Sequence, residues 1–302
     1  MVIISPQEHP TRRMRTYIPF SHLDEQQRIR ENLVKVVQPR KAATVMLLRA
    51  SSDTAGQRLE VFMVRRVVQS EFMPDVYVFP GGSVSPDDQE AETTPGICRV
   101  DDAETAALSD PEGRTAPGNG VRAAAIRELF EEANVLLAYR YGHMLAIDQE
   151  TLPRFTNYRR ALNERTGSLL AIAREEQLVL ATDSLRYFAH WITPEGMPKR
   201  YDTHFFLAQA PPEQEAAYDQ VETSDGVWIQ PAAALERFGQ GSFPLTFPTF
   251  RQLRDLAVFN NVQQALDSAR TCYVPTHVPI LIQQEGKACV YLPEDPQHPW
   301  QL

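Results

Sequence analysis

Cysteine is scarce in this chain of 302 residues: Cys98, Cys272 and Cys289 are the three, and they lie far apart. They offer neither a disulfide framework nor metal-ligand spacing, so a reducing, cytoplasmic setting is expected. Long apolar runs are missing too. No stretch approaches the length needed to span a bilayer, and no membrane association is expected. The first residues carry Arg12, Arg13 and Arg15 without an apolar h-region, which speaks against a secretory signal. Glu8 and the scarcity of serine speak against a transit peptide. The final Pro299-Trp300-Gln301-Leu302 is not an address of the Ser-Lys-Leu type. A basic excess is lacking as well. A formal net charge of −9 excludes general binding to a phosphate backbone, though a small anionic ligand needs only a local basic patch.

What is present is the composition of a soluble globular protein, 43% hydrophobic and 23% charged. One stretch stands out: Arg127-Glu128-Leu129-Phe130-Glu131-Glu132-Ala133-Asn134-Val135. In a helix, Glu128, Glu131 and Glu132 share one face through i,i+3 and i,i+4 spacing. Ala125, Ile126, Leu129 and Val135 are then free to face a core. Three carboxylates on one turn repel one another unless a cation sits among them, and Mg2+ takes oxygen ligands of this kind. By itself the nonapeptide also reads as a solvated acidic face.

The apolar run Ala42–Leu48 predicts a buried strand. Leu59–Val64 predicts a second, with Arg65 and Arg66 at its end, and Val76–Phe79 a short third. The dipeptide Gly81-Gly82 then predicts a sharp turn that approaches another group closely. Residues 89–119 hold seven acidic residues against Arg99 and Arg114. They read as an exposed insertion loop with one short helix near Asp101–Leu108. The acidic helix is expected to start after Asn119-Gly120 and run to Leu137.

Helices are expected over Leu23–Val37, Glu150–Asn163, Ser168–Gln177, Ala232–Phe238, Pro248–Asn260 and Val262–Arg270. Ala189–Thr193 and Tyr201–Ala208 predict a hairpin, Val227–Ile229 a strand, and Pro279–Leu292 a hairpin turning at Glu285-Gly286. No internal repeat or clear linker is visible, so one elaborated domain is expected.

Phe79-Pro80-Gly81-Gly82, Asp88 and Arg127–Val135 together resemble the Nudix hydrolase signature, G-x5-E-x7-R-E-U-x-E-E-x-G-U with U apolar. Gly82, Arg127, Glu128, Glu131 and Glu132 match it. Three departures exist: Asp88 stands for the first glutamate, 38 residues instead of 7 separate it from Arg127, and Asn134 replaces the last glycine. Asparagine tolerates left-handed backbone, so that change is mild. Glu71-Phe72-Met73-Pro74, His190–Pro194, Lys199–Phe206 and the helix near Pro248–Phe259 are similar to one Nudix branch. That branch holds the peroxisomal coenzyme A diphosphatases with an insertion inside the signature.

The resemblance implies an α+β fold, the Nudix α/β/α sandwich with a mixed sheet between helices. It divides the chain into an N-terminal extension (1–38), a Nudix domain (39–240, insertion about 89–119) and a C-terminal extension packed on it (241–302). It implies cleavage of a diphosphate bond in coenzyme A or an acyl-CoA. Another nucleoside diphosphate derivative is the alternative, and a non-catalytic binding module a further one.

Under this reading Glu128, Glu131 and Glu132 hold Mg2+, with Mn2+ a possible substitute. Glu128 is the expected general base and Arg127 orients a glutamate. Gly81 and Gly82 bring backbone to the site, and Arg65 and Arg66 bind phosphates. Asp88, Glu222 and Arg200 are accessory candidates, Arg200 positioning the ligand or pairing with Asp202. Phe72, Trp191 and Phe205 read as core or as a stack for adenine. His190 and His204 read as hairpin residues without metal-ligand company.

Overall fold

The computed structural model describes residues 37–51, 58–68, 73–99, 118–284 and 286–302. The expected helices over Leu23–Val37 and Asp101–Leu108 and the aromatic Phe72 lie outside these residues, Val37 excepted.

The centre of the fold is β1 (Arg40–Ala50), buried on both faces as its unbroken apolar run requires. Ala43, Val45 and Leu47 enter one core and Met46 and Leu48 the other. Alternation along one strand therefore seeds two layers. The chain continues through β2 (Leu59–Arg66), β3 (Tyr77–Val78), β4 (Gly81–Ser83), α1 (Pro86–Thr93), α2 (Val121–Ala133), β5 (Ala138–Arg140), β6 (His143–Met144), α3 (Leu152–Asn163), α4 (Leu169–Glu175) and β7 (Leu178–Leu180). It ends with β8 (Arg186–Ile192), β9 (Tyr201–Gln209), β10 (Thr223–Ile229), α5 (Pro231–Gly239), α6 (Phe247–Leu256), α7 (Val262–Thr271), β11 (Thr276–His277), β12 (Ile280–Gln284), β13 (Lys287–Leu292) and β14 (Asp295–Gln301).

The main sheet runs β10-β2-β1-β9-β8-β11, with β3 on β2 and β4 on β1. β1 and β9 are parallel, as are β8 and β11, and the other pairs are antiparallel. The sheet is mixed. α2 packs on one face against β1 and β4, while α5 and α7 cover the other. This is an α+β sandwich, and Val37–Leu302 form one compact unit.

Three expectations need correction. Gly81 and Gly82 do not turn: they are extended in β4 and pair with Thr44 and Ala43. Their missing side chains serve close approach alone. A Cβ on Gly81 would lie 2.4 Å from the Ala43 carbonyl oxygen, and one on Gly82 2.4 Å from Glu128 Oε1.

The start of the insertion is not loop but α1. Ser85 caps it, Pro86 occupies its first turn, and Asp88 closes a capping box back onto Ser85. The chain then bridges from Cys98 to Leu180. The acidic helix, finally, stops at Ala133, four residues short of Leu137. Asn134 takes the left-handed conformation (φ 60°) there and returns its N–H to the Phe130 carbonyl.

Candidate active site

α2 begins at Gly120, whose φ of 88° suits glycine. The helix's free N–H groups are met by Glu92 of α1. Glu92 Oε2 accepts from Gly120 N at 2.7 Å, and Oε1 from Arg122 N at 2.6 Å and Ala123 N at 3.0 Å. A carboxylate at this end satisfies orphan donors and complements the helix dipole. The insertion thus starts by docking on the acidic helix.

Val121, Ala123–Ile126, Leu129, Phe130 and Ala133 bury one side of α2. That orients Glu128, Glu131 and Glu132 toward β4. Arg127 lies among them, its side chain only 12% exposed. Its Nη1 donates to Glu128 Oε1 at 2.9 Å and to Glu131 at 3.1 Å. Its Nε and Nη2 grip Asp88 bidentately at 2.9 Å each, and Nη2 also donates to the Ser83 carbonyl. Burial opposes the charge on Arg127, but Glu128, Asp88 and Glu131 outweigh it and hold the guanidinium charged. Glu132 turns the other way and accepts from Gly81 N at 2.9 Å.

These contacts give the carboxylates unequal chemistry. Burial, aided by Glu131, pushes Glu128 up to about 7 against the pull of Arg127. Burial raises Glu131 as well, against Arg127. Glu132 is pushed well above the usual range by burial and by Glu128, with Arg66 pulling the other way. Glu222 is exposed and adds negative potential at Glu131 and Glu132.

The remaining candidates separate. Arg66 shares the α2 face of β2 with Val64 and reaches the electrostatic neighbourhood of Glu132. Arg65, one residue earlier, points to the opposite face. There it pairs with Asp75 at 2.9 Å and lies 5.5 Å from the Tyr77 ring. Asp88 is fully buried as the cap of α1 and the partner of Arg127, the guanidinium that also holds Glu128 and Glu131. Ser85-Pro86-Asp87-Asp88 carried that signal in sequence. Arg200 is not paired with Asp202 among the described contacts. Its buried guanidinium donates to the carbonyls of Thr193 and Val37, tying the β8–β9 hairpin to the entry of β1. Trp191 and Phe205 are core residues of the far face. A cavity of about 290 Å3 opens there, lined by Trp191, Phe205, Leu245, Phe247 and Trp300, and it shares no residue with the α2 site.

The expectation that His190 and His204 lack company is also corrected: Asp202 joins them. Among the described residues, theirs is the group of His, Cys, Asp and Glu whose ligand atoms all lie within 4.8 Å of one another. The α2 glutamates are spread wider because Arg127 draws Glu128 and Glu131 while Gly81 draws Glu132.

A family model, the NUDT19 Nudix domain, matches residues 39–256. The chain belongs to the Nudix family. Acyl-coenzyme A diphosphatase NUDT19 of Gallus gallus is 29% identical over 266 residues, 74% of this chain and 69% of that protein. Its Xenopus laevis counterpart is 23% identical over 271 residues, covering 80% and 71%. A crystal structure of a Nudix hydrolase from Alicyclobacillus acidocaldarius superposes with a TM-score of 0.62 at 24% identity, over 76% of this chain and 96% of that one.

This Nudix chain is therefore a hydrolase of diphosphate bonds. Nudix hydrolases generally need divalent metals. Three carboxylates on one helix face, each raised by burial and by a neighbouring glutamate, are a donor set that fits a hard cation.

Proposed function

We propose that this chain cleaves the diphosphate of coenzyme A or an acyl-CoA, releasing a 4′-phosphopantetheine and adenosine 3′,5′-bisphosphate. The observation that carries it is the α2 cluster: glutamates of the Nudix signature packed on the Gly81-Gly82 strand, in a chain matching the NUDT19 Nudix domain. The relatives named for acyl-coenzyme A diphosphatase support the substrate class. Free cysteines support a reducing compartment such as the cytoplasm, and among the described residues no helix is long and apolar enough to cross a membrane.

Glu128, Glu131 and Glu132 would hold Mg2+, or Mn2+ in its place. Such an ion neutralises phosphate charge and makes a bound water more acidic. The chain's own residues do the rest. Glu128, held by Arg127 Nη1, would accept a proton from water. Arg127 fixes the rotamers of Glu128 and Glu131, and the Gly81 amide fixes Glu132. Gly82 leaves the space that Glu128 occupies. Arg66 offers a guanidinium to a phosphate on the same face. Glu222 is placed to tune the potential of the cluster.

The test is product analysis by mass spectrometry with coenzyme A and Mg2+ in 18O-water, on the parent and on Glu128→Gln, Glu131→Gln and Glu132→Gln. The parent should give the two products with one 18O. Glu128→Gln should lose about 10²–10⁴-fold in kcat, the range of a general base. Three variants as active as the parent would refute the site, and an inert parent that cleaves another nucleoside diphosphate would refute the substrate.

A further inference from the structure

The β8–β9 hairpin brings together a second donor set, made of different chemistry. His190 and His204 are register partners, and their rings stack at 4.3 Å with 11° between planes. Asp202, two residues before His204, projects on the same face. Its Oδ1 lies 2.5 Å from His190 Nε2 and 3.6 Å from His204 Nε2. Both imidazoles thus aim the same nitrogen at one carboxylate oxygen.

Each ring is held from behind by a hydroxyl. His204 Nδ1 meets the Tyr187 hydroxyl at 2.9 Å, and His190 Nδ1 meets Thr276 Oγ1 of β11 at 2.8 Å. An outer partner on the far nitrogen is what orients a histidine ligand and fixes its tautomer. The donors are graded in exposure, with His204 at 8%, His190 at 16% and Asp202 at 22%. The set is therefore open to solvent on the Asp202 side.

We propose that His190, Asp202 and His204 bind a divalent transition ion of the zinc class. Imidazole nitrogens select such ions over Mg2+, which prefers oxygen donors. Bonds of about 2.0–2.2 Å around a tetrahedral ion put ligand atoms about 3.3–3.5 Å apart. The His204–Asp202 separation is already near that value. The His190–Asp202 contact widens as the ion replaces the proton shared there, and that proton leaves to solvent. Water completes the coordination.

The site is distinct from the α2 cluster. Gly82, Ala43, His204 and His190 lie in one row across β4, β1, β9 and β8. Strands spaced about 4.8 Å apart put the histidines roughly 10–14 Å from the Gly82 position that faces Glu128. That is too far for a shared two-metal centre, whose ions sit about 3.5–4 Å apart. The ion instead pins β8 and β9, with β11 held through Thr276.

The experiment is a Co2+ titration of the full chain, stripped with chelator and returned to millimolar Mg2+ so that oxygen-donor sites are filled. Visible absorption of low-coordinate Co2+ is read, followed by displacement with Zn2+. The parent should bind one equivalent and lose the bands to Zn2+. His190→Ala and His204→Ala should abolish them. Tyr187→Phe and Thr276→Val keep all three ligands and should weaken binding about 10-fold or more. A parent without bands, or uptake unchanged in His190→Ala, would overturn the proposal. So would unchanged affinity in both Tyr187→Phe and Thr276→Val, should the histidine variants fail to fold.

Discussion

The two faces of the main sheet divide the work of this molecule. On the α2 face lie Arg127, the glutamates, Arg66 and the histidine pair, and Arg127, Glu132 and both histidines take partners from distant segments. On the α5–α7 face the strands present Met46, Met63, Trp191, Phe205 and Leu207 to the apolar sides of amphipathic helices. Arg65 and Arg66 make the contrast sharpest, since adjacent residues of β2 belong to opposite sides. A β-strand sorts its residues by parity, so the glutamates and histidines are gathered on one face while the other is apolar apart from pairs such as Arg65 with Asp75.

The strongest way to break this division is to remove Arg127. Arg127→Met keeps the volume but leaves Asp88, Glu128 and Glu131 without their buried counter-charge. Breaking a buried charge network of this kind costs about 3–5 kcal/mol. Thermal unfolding in chelator should show a drop of that size, with activity lost alongside. A loss under about 1 kcal/mol would mean the cluster is solvated and the α2 face is not organised around it.

The sequence showed the helix half of this cluster because the information is local: Glu128, Glu131 and Glu132 follow from spacing along one helix. Asp88 was visible as an accessory carboxylate, but its contacts were not. Its Ser85-Pro86 context marked a capping box, and only the fold shows that the same carboxylate also grips Arg127. Gly81-Gly82 were legible as a close approach but not as a strand, because pairing with β1 is a long-range fact. His190, Asp202 and His204 stood within fifteen residues, yet their meeting depends on hairpin register, which composition does not fix. Adjacency in the sequence groups Arg65 with Arg66, whereas the two-residue period of the strand separates them.

The separation of Arg65 from Arg66 should show as an effect of middling size. Arg66→Ala should lower kcat/KM for coenzyme A about 10-fold or more, as expected for losing a charge-assisted contact. Arg65→Ala should leave kcat/KM within about two-fold. It forfeits a half-exposed ion pair with Asp75 and contact with the Tyr77 ring, about 1 kcal/mol of stability in all. Equal kinetic losses in the two variants would erase the distinction between faces.

The smallest effect concerns whether α1 stays docked on the α2 face, since it supplies both Asp88 and Glu92. Cys98 reports on this. It packs against the α2-side core and its thiol contacts the Ala91 carbonyl at 3.6 Å. Burial, with help from Glu92, pushes the thiol up to about 12. A group raised that far is ~10⁻⁴ thiolate at pH 8, against roughly a quarter for an ordinary cysteine near 8.5. Cys272, at the end of α7, is exposed. Iodoacetamide at pH 8 should therefore label Cys272 while Cys98 stays unmodified, as peptide mapping by mass spectrometry would show. The sign follows from the thiolate being the nucleophile: raising the pKa removes the reactive form at any pH below it. Labelling of Cys98 at the rate of Cys272 would mean that the segment carrying α1 opens in the native protein. The carboxylate that holds Arg127 would then be in place only part of the time.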